Sequence, residues 1–259
     1  MRHHSSRSPR QSSHSSGKNV TLDRLLSKSG FCSRSQARIL IISGRVQINT
    51  RAELNPDTWV HPEKDRILID GKPLVQSEFR YLMLNKPHGL ITTTADEKSR
   101  ETVYQCLNMA DLPWLSPVGR LDKASEGLLL FTNDTAWAAR ITDPETHLDK
   151  TYHVQIDSLP DPDLLKKMER GIEISPGENL SVKKVGILRA GTKTCWLEII
   201  LDEGKNRQIR RVLEGLGLSV LRLFRISIGP LQLGDLAKGQ ARDLTPNEKA
   251  ALDQALNQK

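Results

Sequence analysis

The chain has 259 residues, of which 37% are hydrophobic and only 4% aromatic, with a formal charge of +7 and a pI near 9.4. That length suits one large domain or two smaller ones with a real core. The positive balance points to a polyanionic partner, and the few aromatics argue against wide base-stacking sheets. Cys32, Cys106 and Cys195 are far apart, without metal-type spacing, and read as reduced packing residues of a cytoplasmic protein. No apolar stretch approaches the roughly 18 residues of a membrane span, and the N-terminus lacks the apolar core of a signal peptide.

Residues 1–18, "MRHHSSRSPRQSSHSSGK", contain no valine, leucine or isoleucine and predict a disordered basic arm. Residues 19–78 read as a compact small domain. Leu22, Leu25 and Leu26 have helical spacing, Ser33 and Gln36 form a capping box for a second helix, and Gly44 is placed to end it. Val46 and Ile48 then alternate as a strand, and Asp70-Gly71 marks a hairpin turn. From Lys18 to Arg45 there are six cations against one acid, Asp23. Arg34 and Arg38, four apart, share a helical face; with Arg45 they suggest a surface that tracks phosphates, although a solvated helix face would look the same. The stretch "LDRLLSKSGFCSRSQARILIISGRVQIN" resembles the S4 RNA-binding domain, which implies RNA binding without saying what is done to the RNA.

Residues 79–245 change character. "YLMLNKPHGLITT" reads as strand and turn, "LLLFTND" as a buried strand, "TAWAARIT" as a helix, and "KTYHVQID" as a strand with Tyr152, Val154 and Ile156 on one side. Asp161-Pro162 opens a helix through Met168 that Gly171 ends. "TCWLEIILDEG", "NRQIRRVLEGLG" and "SVLRLFRISIG" follow as strand, helix and strand, and Thr245 with Glu248 caps a terminal helix over 246–259. Strands and helices do not alternate strictly. The expected fold class is therefore α+β, a small domain followed by a mixed, largely antiparallel sheet.

A phosphate-binding Gly-rich loop, a G-x-S-x-G elbow and an HExxH pair are all missing from the sequence. The expectation is an enzyme with no metal and no cofactor. Three features remain. Asp122 follows Gly119-Arg120-Leu121 at the edge of an apolar run; taken alone it reads more readily as a turn residue. Tyr152 sits in "KTYHV". Lys205, Arg207, Arg210 and Arg211 crowd the start of a helix, where cations oppose the helix dipole and need an anionic partner; Arg207, Arg210 and Arg211 are spaced to share one face.

The order of "GRLDKASEGLLLFTND", "KTYHV" and "EGKNRQIRR", supported by "NKPHG" and "RLFRISIG", resembles the bacterial ribosomal-RNA pseudouridine synthases of the RsuA/RluB/RluE/RluF type. Thr135 and Val212 depart from that pattern, which usually has Gly and Met there. The resemblance implies isomerisation of a uridine in ribosomal RNA, with a lean toward the large subunit. It assigns Asp122 as the catalytic carboxylate, Tyr152 as the platform for a flipped uracil, and Arg210 as the arginine that keeps a shielded Asp122 ionised. Arg34, Arg38, Arg45, Arg120, Lys205, Arg207 and Arg211 are expected to meet RNA, and the protein is expected to be a monomer that touches no membrane. The rival reading is a non-catalytic S4-type RNA-binding protein.

Overall fold

The computed structural model describes residues 19–94, 99–108 and 112–257; the expected basic arm at 1–18 lies outside them. Two units are distinguished by their contacts. One comprises the stretch up to Ser27 and Arg34–Val75; the other comprises Lys28–Ser33 and the chain from Gln76 onward.

The first unit carries β1 (Val20–Thr21), α1 (Leu22–Lys28), α2 (Arg34–Ile42), β2 (Val46–Ile48), β3 (Arg51–Ala52), β4 (Trp59–Val60), β5 (Ile67–Ile69) and β6 (Lys72–Pro73). A small antiparallel sheet runs in the order β3-β2-β5-β6, with β1 on β4 beside it. Leu22, Leu26, Ala37, Ile41 and Val46 form its buried centre. α2 starts directly after Ser33 and ends just before Gly44, whose φ of 74° lets its own N–H and that of Arg45 fold back onto Ile41 O and Leu40 O. Asp70 and Gly71, both at positive φ, make the hairpin turn between β5 and β6.

The second unit carries β7 (Tyr81–Lys86), β8 (Ser116–Val118), β9 (Glu126–Thr132), α3 (Thr135–Thr142), β10 (Lys150–Ile156), α4 (Pro162–Arg170), β11 (Ile172–Ser175), β12 (Glu178–Leu180), β13 (Lys184–Ala190), β14 (Cys195–Leu201), α5 (Gln208–Gly215), β15 (Val220–Ile228), β16 (Leu231–Gln232), β17 (Ala241–Asp243) and α6 (Pro246–Asn257). Its main sheet runs β13-β14-β10-β15-β9-β7-β17, with β16 on β15 and β8 on β9. Every pairing is antiparallel except β9 with β15. The expected mixed, largely antiparallel sheet is what the structure has. Asp161 caps α4 and Gly171 ends it, while Thr245 and Glu248 exchange the two bonds of a capping box at α6. Thr135 opens α3 next to its cap Asp134, and Val212 is fully buried, so both departures from the family pattern serve packing and helix structure.

The parallel junction brings two backbones into close contact. At β9, Gly127 (φ 99°) faces Arg225 of β15, and a Cβ there would lie 2.3 Å from the Arg225 carbonyl oxygen. The obstructing atom is backbone, so it cannot rotate away. Gly127→Ala is expected to cost at least about 3 kcal/mol, at or beyond the upper end of ordinary overpacking, because left-handed strain adds to the clash. Urea unfolding checks it; a loss under about 1 kcal/mol would show that the two strands are not held so tightly.

Candidate active site

The loop between β8 and β9 carries Asp122 and is anchored through its main chain. Each carbonyl from residue 121 to 125 accepts a hydrogen bond. Leu121 O takes the Thr92 hydroxyl at 2.7 Å, and Asp122 O takes the Ser125 N–H at 3.0 Å. Lys123 O takes the Gly89 N–H at 2.8 Å, Ala124 O takes Arg210 Nη2 at 3.0 Å, and Ser125 O takes Lys86 Nζ at 2.7 Å. The side chain of Asp122 is left to face a cleft of about 410 Å³ whose lining also includes Lys150, Tyr152, Arg207, Arg210 and Arg225. A turn residue held only by its own loop would need none of these distant donors.

Tyr152 and Lys150 lie on the cleft side of β10. The unbroken register with β14 sets Tyr152 against Ile199 and Val154 against Leu197, so Tyr152, Val154 and Ile156 share one face as expected, and the latter two enter the core. The Tyr152 ring is half-buried, and its partner across β15 is Arg225. Arg225 is buried and donates from Nε to Leu128 O at 2.8 Å, while its Nη2 has no hydrogen-bond partner among the described residues.

The arginines depart from expectation. Asp122 forms its ion pair with Arg207, at 3.8 Å, and not with Arg210. Arg210 is turned inward, where its guanidinium is occupied by Ala124 O and, at 3.5 Å, by Val220 O. It still feels the Asp122 charge: burial and then Arg207 pull its pKa down, and Asp122 opposes them. Nor is Asp122 shielded as expected, since its side chain is 35% exposed. Arg207, Arg210 and Arg211 do not act as one face either. Arg207 caps α5 in a left-handed conformation, Arg210 packs under the Asp122 loop, and Arg211 pairs with Glu178 of β12. Helical spacing is interrupted because Arg207 precedes the helix proper.

The other expected RNA contacts are placed as follows. Arg34 and Arg38 both reach Asp23 at 3.1 Å, Arg38 also holds Asp57, and Arg45 pairs with Asp70. Asp23 is buried, which alone would raise its pKa, but hydrogen bonds from Thr21, Arg34 and Arg38 outweigh that and hold it below the usual carboxylate range. The three arginines remain largely exposed on their outer edges. Lys205 pairs with Glu203. Arg120 is exposed at the cleft and has no ion pair among the described residues. Among the described residues no cluster of three or more His, Cys, Asp or Glu is arranged to hold a metal, and no helix is long and apolar enough to cross a membrane.

Sequence reasoning missed Lys86, the lysine of "NKPHG". It is fully buried, and its Nζ donates to Pro87 O at 3.0 Å as well as to Ser125 O. Burial pushes its pKa down to about 8, against the pull of Glu126 and Asp122. The unfolded chain would hold that proton to about pH 10.4. Between those values the unfolded state binds more protons, so folding stability should rise with pH through that window, by up to about 3 kcal/mol. Lys86→Met should lose this rise. Stability measured by urea at pH 7.5 and 9.5 checks it, and identical pH trends in both proteins would refute a charged buried lysine. A neutral amine keeps two N–H donors, so both carbonyl bonds can survive deprotonation.

The cleft sets one carboxylate, Asp122, among the cations Arg120, Lys150, Lys205, Arg207, Arg210 and Arg225. A family model described as RNA pseudouridylate synthase matches residues 80–215, and an S4 domain model matches residues 20–67. An RNA pseudouridine synthase of Aquifex aeolicus is 37% identical over 93% of this chain and 96% of its own. "Ribosomal large subunit pseudouridine synthase B" of Bacillus subtilis is 34% identical over 88% of this chain and 93% of its own. A crystal structure of a pseudouridylate synthase, 30% identical, superposes with a TM-score of 0.63 over 90% of this chain and 99% of that one. The chain belongs to the RNA pseudouridylate synthase family and is an isomerase that joins an S4 domain to the catalytic fold.

Proposed function

We propose that the protein converts a uridine of ribosomal RNA, in the large subunit, to pseudouridine, with Asp122 as the reacting carboxylate. The observation that carries this is the loop itself: five successive carbonyls are tied down, four of them by donors from outside the loop, while the one carboxylate faces the cleft beside Tyr152. The large-subunit choice is supported by the name of the Bacillus subtilis relative, a ribosomal large subunit pseudouridine synthase.

Isomerisation breaks the bond from ribose C1′ to uracil N1 and joins C1′ to C5; N1 gains a proton and C5 loses one, so no oxidant or cofactor is consumed. The carboxylate opens the sequence by attack on C1′ or by removing a ribose proton, and Asp122 has the position for either. The target base must leave its stack to enter the cleft, and Tyr152 offers a ring for it to rest on. Arg120, Lys205 and Arg207 surround the opening with positive charge suited to phosphates, which position the strand without reading its sequence. Mapping of pseudouridines in both ribosomal RNAs, from a strain lacking the gene and from its parent, tests the assignment. Loss of one large-subunit pseudouridine is the expected result; loss in the small subunit would overturn the choice of RNA, and loss in neither would overturn the ribosomal substrate.

A further inference from the structure

Arg207 is held in an uncomfortable place. It precedes α5 with φ 49° and ψ 30°, a left-handed conformation sparsely used by residues with a Cβ, and its charge opposes the helix dipole. Its side chain gains little in return. The guanidinium lies 3.8 Å from Asp122 and 3.8 Å from Glu214, beyond hydrogen-bond length from both, and the side chain is 44% exposed. One turn further on, Arg210 is buried and fixed to the catalytic loop through Ala124 O. Asp122 thus has one loosely held cation and one anchored cation near it. A phosphodiester is a better partner for Arg207 than this long contact, because it can take two short charge-assisted bonds from the planar guanidinium.

We infer that Arg207 is a hand-over residue. In the free protein it neutralises Asp122 and so masks a negative charge from incoming RNA. On binding it moves to a phosphate beside the target nucleotide and leaves the carboxylate facing the ribose, with Arg210 behind it. The inference rests on the reading of Asp122 as the reacting group. Arg207 is then a positioning residue, and RNA must compete with Asp122 for it.

Competition makes a specific double-mutant signature. The probe is an in vitro transcript of whichever ribosomal RNA the unaltered protein modifies, with affinity measured by filter binding at several salt concentrations. Asp122→Asn frees Arg207 and should bind about two- to fivefold more tightly than the unaltered protein, the range an exposed ion pair can supply. Arg207→Gln should bind more weakly, with a salt slope lower by about 0.7–0.9 for one lost phosphate contact. The double variant should bind no more tightly than Arg207→Gln alone. Should Asp122→Asn tighten binding equally in both backgrounds, the gain is only a lost negative charge and the hand-over is wrong; no gain at all is equally fatal. In steady state the loss in Arg207→Gln should fall on KM, and Arg207→Lys should recover part of it. A fall in kcat at unchanged KM would mean that Arg207 stays on Asp122 through the reaction, which also overturns the inference. Turnover by Asp122→Asn is the separate control. If that variant is active, the reading of Asp122 fails, while the binding cycle still decides whether Arg207 changes partner.

Discussion

Asp122→Asn is expected to abolish pseudouridine formation while RNA binding persists. The amide keeps the size and the loop's backbone anchors, none of which involve the side chain, and removes only the group that can attack C1′ or accept a ribose proton. Proton transfer by a placed side chain alone typically contributes on the order of a hundredfold or more, and loss of a nucleophile more still. Tritium release from transcripts labelled at uracil C5 measures it. The melting temperature should barely move, because the side chain is partly exposed and its ion pair with Arg207 is long. Retention of more than about a tenth of the turnover would show that another group does the chemistry.

Arg210 should be nearly as sensitive, for a reason the structure changes. The expected role was a direct ion pair with Asp122. The observed role is a buried cation that pins Ala124 O, two residues from Asp122, while contributing charge beneath the carboxylate. Arg210→Met should therefore act twice. It removes a part-buried, charge-assisted hydrogen bond to Ala124 O, worth about 1.5–3 kcal/mol, and it loosens the segment that carries Asp122. Small misplacements of a reacting group can cost about a hundredfold in rate, so turnover should fall at least that far. Arg210→Lys should rescue little, since one ammonium cannot span both Ala124 O and Val220 O as the planar fork does. Arg210→Lys with near-normal turnover and melting temperature would refute the pinning role. The contrast with Arg207 is direct: one arginine should affect rate and stability, the other affinity and its salt dependence.

The parts of this molecule that depend on short stretches of chain were legible from those stretches. The helix Thr135–Thr142, the Thr245–Glu248 cap and the Asp70-Gly71 turn are each decided within a few residues, and the sequence shows those residues side by side. The shared face of Tyr152, Val154 and Ile156 follows from strand alternation alone. What failed depends on neighbours far along the chain. Periodicity says which side chains share a face of α5, but not that Arg210 would meet a carbonyl at Ala124 while Arg207, one position outside the helix, meets the carboxylate. Lys86 was invisible for the same reason. A lysine is ordinarily placed at the surface, and only the converging carbonyls of Pro87 and Ser125 make its burial tolerable.

The anchoring of the Asp122 loop has a consequence for the order in which the protein matures. Lys86, Gly89 and Thr92 precede the loop in the chain, but the Arg210 donor lies 86 residues beyond Ala124. β15, which supports Tyr152 from the neighbouring position and meets β9 at Gly127, is made later still. During synthesis the S4 segment, residues 20–67, is complete long before either of these arrives. Contacts that close such long loops form slowly and only once both ends exist. A growing chain therefore completes the sequence of its S4 segment well before the Asp122 loop can be pinned, and that loop is set only once α5 and β15 have been made.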